Sequence, residues 1–302
     1  MKTATTYVQA ILSQNRTALQ SAGWMYPGER SNQQHGFYSL CGADIPWVTP
    51  RLAEKYSKVG AELCRDLSEK RFNIVVSAEA LSTLMRPGIE RLLEKIGVPD
   101  KVVFTLRDLP RVLPSAWQQY LKSGGTETFD GFIQLFDESH SSVNNVSGHW
   151  QTYAFGESVK RWASVVGAAK VVAVAVPKAP TSADQTWDLF SSAVDLPWLG
   201  NRSVPRDEAN ASLSAEMAEC LRRYNTLLDE ASPPDRRRYR RNIFLNKCVF
   251  PLTALRLGAR IQVDERYRAR IEEWNRREVE KVLDNAGTVI GNIQDLAASD
   301  PA

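Results

Sequence analysis

The run Lys170-Val171-Val172-Ala173-Val174-Ala175-Val176 decides the fold. It is apolar at successive positions, rich in β-branched residues, and closed by Pro177. A strand of that kind is buried on both faces and belongs in a parallel sheet. Phe72-Asn73-Ile74-Val75-Val76 and Lys101-Val102-Val103-Phe104-Thr105-Leu106 read the same way, each ending at a polar turn. Helical spacing fills the intervals. Leu52, Tyr56, Val59, Leu63 and Leu67 define a helix over residues 51–69, with others over 7–19, 89–96, 113–121, 129–136 and 158–166. Residues 213–228 and 264–283 give two more, with Pro233-Pro234 between them. Alternating strands and helices predict an α/β fold: three layers, α/β/α, around a mainly parallel sheet with right-handed crossovers. The helical C-terminal third is expected to pack on that same sheet. A single domain over 1–302 follows, since no internal repeat or low-complexity tract divides the chain.

Composition narrows the class. The chain of 302 residues is 43% hydrophobic and 24% charged, which is globular rather than disordered. Its 38 basic and 35 acidic residues nearly cancel, which argues against a dedicated nucleic-acid binder. The one dense basic run, Arg236-Arg237-Arg238-Tyr239-Arg240-Arg241, reads as a solvated helix face or helix start. Cys41, Cys64, Cys220 and Cys248 lack C-x-x-C spacing, which speaks against a zinc site or disulfide framework and fits a reducing cytoplasm. No apolar run is long enough for a membrane span, and no charged-then-apolar leader opens the chain.

Ligands of open parallel sheets bind beyond the carboxyl ends of the strands. The residues there are Ser77-Ala78-Glu79, Arg107-Asp108 and Pro177-Lys178. A further signal stands at the N-terminus, where Lys2-Thr3-Ala4-Thr5-Thr6 runs into an amphipathic segment. Backbone N–H groups and the dipole at a helix start favour a phosphate, and Lys and Thr add donors. The string lacks the G-x-x-x-x-G-K-S/T pattern of a nucleoside-triphosphate loop, and it also fits a capped helix start with a solvated lysine. Arg107 leaves its strand at the ligand edge, and Ser115 follows eight residues later near a helix start. Together they make a second candidate anion site. The plainer alternative is a structural ion pair of Arg107 with Asp108, or a contact with a helix end.

These two features resemble the sulfotransferase family that uses 3′-phosphoadenosine 5′-phosphosulfate. In that family a Lys-Thr-Gly-Thr-Thr type loop binds the 5′-phosphosulfate, and an Arg and a Ser, eight positions apart after a later strand, bind the 3′-phosphate. Lys2-Thr3-Ala4-Thr5-Thr6 is similar to the first and Arg107 with Ser115 to the second. The likeness runs through most of the chain and is nearest to bacterial sulfotransferase-like proteins. It continues in Gly23-Trp24-Met25-Tyr26-Pro27-Gly28, Pro114-Ser115-Ala116-Trp117-Gln118, Arg161-Trp162 and Val174-Ala175-Val176-Pro177. Asn210-Ala211-Ser212-Leu213 and Gly291-Asn292-Ile293-Gln294-Asp295-Leu296 extend it.

The resemblance implies a P-loop NTPase-like fold and transfer of a sulfuryl group to a hydroxyl or amine. The acceptor would be a small molecule or glycan, the product adenosine 3′,5′-bisphosphate, and no metal would be needed. It implies Lys2 at the bridging or leaving-group oxygen, and Thr5 and Thr6 at the 5′-phosphate, with Thr3 and Ala4 completing the loop. Arg107 and Ser115 would select the 3′-phosphate. Ala4 stands where glycine is common, and alanine does not readily take φ > 0. The strand that normally precedes the loop has no counterpart, which implies a gap in the hydrogen-bonded sheet. A start upstream of Met1 is the expectation, with a copy that has lost activity as the other.

The acceptor group needs a general base. Glu79, just beyond the strand ending at Val76, is the first candidate, because relatives often carry a carboxylate there. Alternatively Ser77 caps a helix and Glu79 sits on its dipole. His35, in the polar loop over residues 32–36, is the second candidate, with simple solvation as its alternative. His149 beside Trp150 fits a cleft lining or a core edge, and His140 among serines fits the surface. The acceptor pocket is expected in loops over 29–47 and 139–150. Two rivals are a nucleotide kinase-like phosphotransferase and a non-catalytic binding protein of the same fold. The missing Gly-rich loop and missing acidic metal partner count against the kinase.

Overall fold

A computed structural model describes residues 4–141, 149–182, 184–197, 199–200, 202, 212–229, 232, 235, 238–253 and 258–297. The fold is mixed α/β, and its strands pair in parallel. Strand β4, Val171–Ala175, is buried at every position, as its apolar composition requires. On one side it pairs with β3, Val102–Leu106, in the register Leu106 to Ala175. On the other it pairs with β5, Thr288–Ile290, a strand too short to stand out in the sequence. Two further strands, β1 (Trp24–Met25) and β2 (Asn73–Ile74), pair only with each other. The strand expected over 72–76 is thus cut short. Val75 still donates its N–H to Met25 O (3.0 Å), but Ser77 has turned away to exchange hydrogen bonds with Gln33.

The one sheet expected is therefore two small parallel sheets. Side-chain alternation shows that they share a layer. Val75 and Val103 face a cluster formed by helices α1 (Thr5–Gln14) and α11 (Gln185–Ala193), with Val8, Ile11, Trp187 and Phe190. Val76, Val102, Phe104 and Leu106 face the larger core on the opposite side. β2 and β3 are covered by the same two layers, yet no strand pairing joins them among the described residues.

Local chemistry explains most helix boundaries. The helix expected over 7–19 is α1 followed by α2, Arg16–Ser21. Asn15 breaks it at φ −106°, and its buried amide donates to Ile11 O (2.8 Å). Tyr56 similarly divides α4, Pro50–Lys55, from α5, Ser57–Leu67. Helix α6 is Arg86–Ile96 and α8 is Phe129–Ser141. Helix α7, Leu109–Lys122, starts earlier than its apolar spacing suggests, because Asp108 caps it and Pro110 suits a first turn. Helix α9 is His149–Tyr153 and α10 is Phe155–Val166. Helix α12, Ala215–Leu227, and the C-terminal helix, Glu265–Asn285, lie where their periodicity places them. Between these last two, Arg238–Val249 winds as a π-helix, and Arg236 and Arg237 lie outside the described residues.

Helix α3, Gln34–Cys41, replaces the polar loop expected around His35. Its glycine is there for contact rather than for a turn. A Cβ on Gly36 would lie 2.7 Å from Leu63 Cδ2, and one on Gly60 of α5 would lie 2.7 Å from Ser39 Cβ. The two helices cross glycine to glycine.

The C-terminal helix packs against α10, which itself covers β3 and β4. At this contact Glu278 is fully buried. Its Oε2 accepts the N–H groups of Gly156 (2.7 Å) and Glu157 (3.1 Å) at the start of α10, and its Oε1 accepts from Lys281 (2.7 Å). One helix thus supplies the N-terminal cap of another. Among the described residues no helix is long and apolar enough to cross a membrane.

Glu278→Ala strips that cap and leaves two buried N–H groups unsatisfied. Denaturant unfolding should show a loss of about 3 kcal/mol, with Glu278→Gln, which keeps an acceptor oxygen, losing less. Equal losses in the two variants would contradict the capping role.

Candidate anion-binding site

Parallel pairing of β3 with β4 brings the residues after both strands to one edge. There Asp108, buried at 2% exposure, accepts from one neighbour through both of its oxygens. Its Oδ1 accepts from Arg111 N (2.9 Å) and its Oδ2 from Arg111 Nε (2.5 Å). The rest of the Arg111 guanidinium donates to Pro177 O (3.1 Å), Val176 O (3.3 Å) and Asp295 O (2.9 Å). The ion pair at this junction is Asp108 with Arg111, and not Asp108 with Arg107.

Arg107 is left with a buried Nε that has no hydrogen-bond partner among the described residues. Burial, and then the nearby charge of Arg111, push its pKa below the usual guanidinium range. A buried donor without an acceptor is costly, and an anion would relieve it. Ser115 is half-buried on α7, one turn beyond Arg111, and no hydrogen bond links it to Arg107 among the described residues.

Helix α1 opens at Ala4, whose backbone is left-handed at φ 65°, ψ 8°. The position therefore takes the conformation that favours glycine, although it carries a methyl group. The Ala4 cap position carries no side-chain capping bond among the described residues. Ala4 O accepts from Tyr7 N (3.0 Å) and Val8 N (3.2 Å), so Thr5 and Thr6 occupy the first turn. Lys2 and Thr3 lie outside the described residues.

The first turns of α1 are held at both flanks. Gln9, buried, donates from Nε2 to Ser77 Oγ (3.0 Å), which ties the helix to the end of β2. Tyr7 donates to Asp184 Oδ1 (3.4 Å). Burial, with help from the Asp184 charge, raises the Tyr7 phenol to about 12.

Glu79 begins a short 3-10 helix, Glu79–Thr83, and is half-buried. Ser77 does not cap it. Ser77 N–H instead donates to Gln33 Oε1 (2.8 Å), and Ser77 O accepts from Gln33 N (3.2 Å). Tyr26 lies near enough to feel Glu79. Burial is the main cause of its raised phenol pKa, and the Glu79 charge adds to it.

His35 stands on α3. Arg30 Nη1 lies 3.0 Å from its Nδ1, and its ring stacks on Tyr56 with centroids 4.2 Å apart. Guanidinium can only donate, so Nδ1 is the acceptor and the ring proton sits on Nε2. Burial first, then Arg30 and Lys55, push the imidazole pKa down, which keeps this tautomer neutral. The one lone pair that a base would use is already engaged. The side chains of His140 and His149 lie outside the described residues.

Three small groupings result. Arg107 sits with the Asp108–Arg111 junction, Thr5 and Thr6 with Ser77 through α1, and Glu79 with Tyr26. No hydrogen bond or ion pair joins Arg107 to Glu79 or to the start of α1 among the described residues. Arg111, Gln9 and Gln33, which fix these groupings, carry no mark in the sequence, because each works by contacts remote along the chain. No family model, curated protein or solved structure matches the chain.

Ala4→Gly should relieve the left-handed alanine. Thermal or denaturant unfolding should show a gain of about 1 kcal/mol, the size of the αL penalty less the entropy that glycine adds to the unfolded chain. A loss of stability would mean that Ala4 does not hold this conformation in solution.

Proposed function

We propose that the chain is a sulfotransferase of P-loop NTPase-like fold that takes 3′-phosphoadenosine 5′-phosphosulfate as donor and a hydroxyl or amine as acceptor. One observation carries the reading: Arg107, at the carboxyl end of β3, has a buried Nε without a partner among the described residues, while its neighbour Asp108 pairs with Arg111. A phosphate is the group that such an arginine lacks. The left-handed residue that opens α1 supports a second anion seat, since a left-handed turn into a helix start aims N–H groups at one point.

In this reading Arg107 and Ser115 hold the 3′-phosphate, and the N–H groups and hydroxyls of Thr5 and Thr6 hold the 5′-phosphate. Lys2 and Thr3 take their roles from the sequence resemblance alone. Glu79 accepts the proton of the acceptor hydroxyl, whose oxygen attacks sulfur as the bond from sulfur to the phosphate oxygen breaks. The electron pair leaves with adenosine 3′,5′-bisphosphate, where Lys2 neutralises the new charge. Catalysis then consists of alignment and charge stabilisation on a loose, in-line transfer. Glu79 is preferred to His35 as base because the Nδ1 lone pair of His35 accepts from Arg30.

A second reading is a protein that binds the donor nucleotide without transferring the sulfuryl group. The separation of the strands into two small sheets favours it, since it leaves the start of α1 less firmly tied to the strand ends at Arg107.

Titration calorimetry with adenosine 3′,5′-bisphosphate tests the common core of both readings. Binding should fall at least about tenfold in Arg107→Ala and partly recover in Arg107→Lys. No binding by the folded wild-type chain would overturn both. Transfer of labelled sulfate, lost in Glu79→Gln with nucleotide affinity unchanged, would select the enzyme over the binding protein.

A further inference from the structure

Beside the segment that carries Glu79 stands a cluster of rings and cations that the donor does not use. Two hydrogen bonds between Gln33 and Ser77 pin the start of α3 to the residue two before Glu79. His35 and Tyr38 are on the first turns of that helix. His35 stacks flat on Tyr56 (interplanar angle 8°) and meets Tyr38 edge-on with centroids 5.7 Å apart. Trp47, at 39% exposure, donates from its indole N–H to the Tyr38 hydroxyl (3.0 Å). That bond fixes the indole while leaving part of its surface to solvent.

The charges that act on His35 are of one sign. Arg30 is exposed and holds His35 Nδ1 through one nitrogen. Lys55 is exposed, with its ammonium 5.5 Å from the Tyr56 ring centre. Neither Arg30 nor Lys55 forms an ion pair with a carboxylate among the described residues. The His35 Nε2–H adds a third donor. An indole surface beside two uncompensated cations and an N–H donor is complementary to a flat ring bearing an anionic group.

We infer that Arg30, His35, Trp47, Lys55 and Tyr56 form the acceptor subsite, and that it takes an aryl ring carrying a carboxylate. The inference rests on the sulfotransferase reading for the word acceptor, but the subsite itself stands on its own geometry. The ring lies against Trp47 and Tyr56, and the carboxylate meets Arg30 and Lys55. A hydroxyl elsewhere on the ring is then left to reach Glu79.

Ligand-observed NMR titration with 4-hydroxybenzoate, phenol and glucuronate tests this. The first should bind more tightly than phenol, which lacks the carboxylate, and than glucuronate, which lacks the flat ring. Arg30→Gln and Lys55→Gln, both at exposed positions that should leave folding intact, should each weaken 4-hydroxybenzoate at least about fivefold. Trp47→Ala should weaken it about threefold or more. Phenol or glucuronate binding as tightly, or unchanged affinity in the cation variants, would overturn the inference. Adenosine 3′,5′-bisphosphate titrated into the same samples separates the two claims. Ring binding without nucleotide binding sinks the donor reading and leaves the subsite. Nucleotide binding without ring binding sinks the subsite alone.

Discussion

The pairing of Asp108 with Arg111 is the contact on which the carboxyl edge of the three-stranded sheet depends. It caps α7, and through the same guanidinium it gathers the backbone after β4 and the backbone after β5. Three chain segments far apart in sequence are held by one charge pair, a buried Asp108 with a half-buried Arg111. Buried pairs of this kind are costly to break, because either partner alone is a desolvated charge. The adjoining contact reinforces it. Asn275 Oδ1 accepts from Leu109 N (2.8 Å) while its amide donates to Leu296 O (2.6 Å), so the C-terminal helix is bound into the same junction. Arg107 Nε is left without a partner among the described residues, while Asp108 beside it pairs with Arg111.

Much of the scaffold can be read from residue pattern because burial writes itself into composition. β4 is apolar at every position since both its faces are covered, and β3 carries the same mark. Helices with one buried face show it by spacing, as in α10 and the C-terminal helix. Short elements escape. β1 and β5 take part in pairing through so few residues that no periodicity can accumulate. Helix α3 escapes for a different reason. Gln34, His35 and Gly36 look like a loop, and only the close crossing with Gly60 shows why a glycine belongs inside that helix. At the candidate site Arg107 was legible from its place after a strand. Its environment was not, because the choice of Arg111 by Asp108 is made by three-dimensional proximity to Pro177 and Asp295.

Among the local irregularities of the described residues are a left-handed alanine, Ala4, and a buried guanidinium nitrogen without an acceptor, Arg107 Nε. Each lies in a segment singled out from sequence for anion binding. Strain and unsatisfied polarity persist in folded proteins where the surroundings hold them in place, and here α1 is held through Gln9 and Tyr7. The interrupted sheet sits between these two segments, since β2 leads to the residue that anchors α1 and β3 leads to Arg107.

The glycine-to-glycine crossing of α3 and α5 has an entropic consequence. Gly36 closes on the Leu63 side chain and Gly60 on Ser39, which leaves little room for one helix to slide or roll on the other. α3 is also fastened at its start by Gln33, and α5 follows directly on Tyr56. The rings carried by these two helices therefore keep fixed mutual positions before anything binds. Their ordering is completed during folding of the chain, and a ligand settling among them gives up little beyond its own translational and rotational freedom.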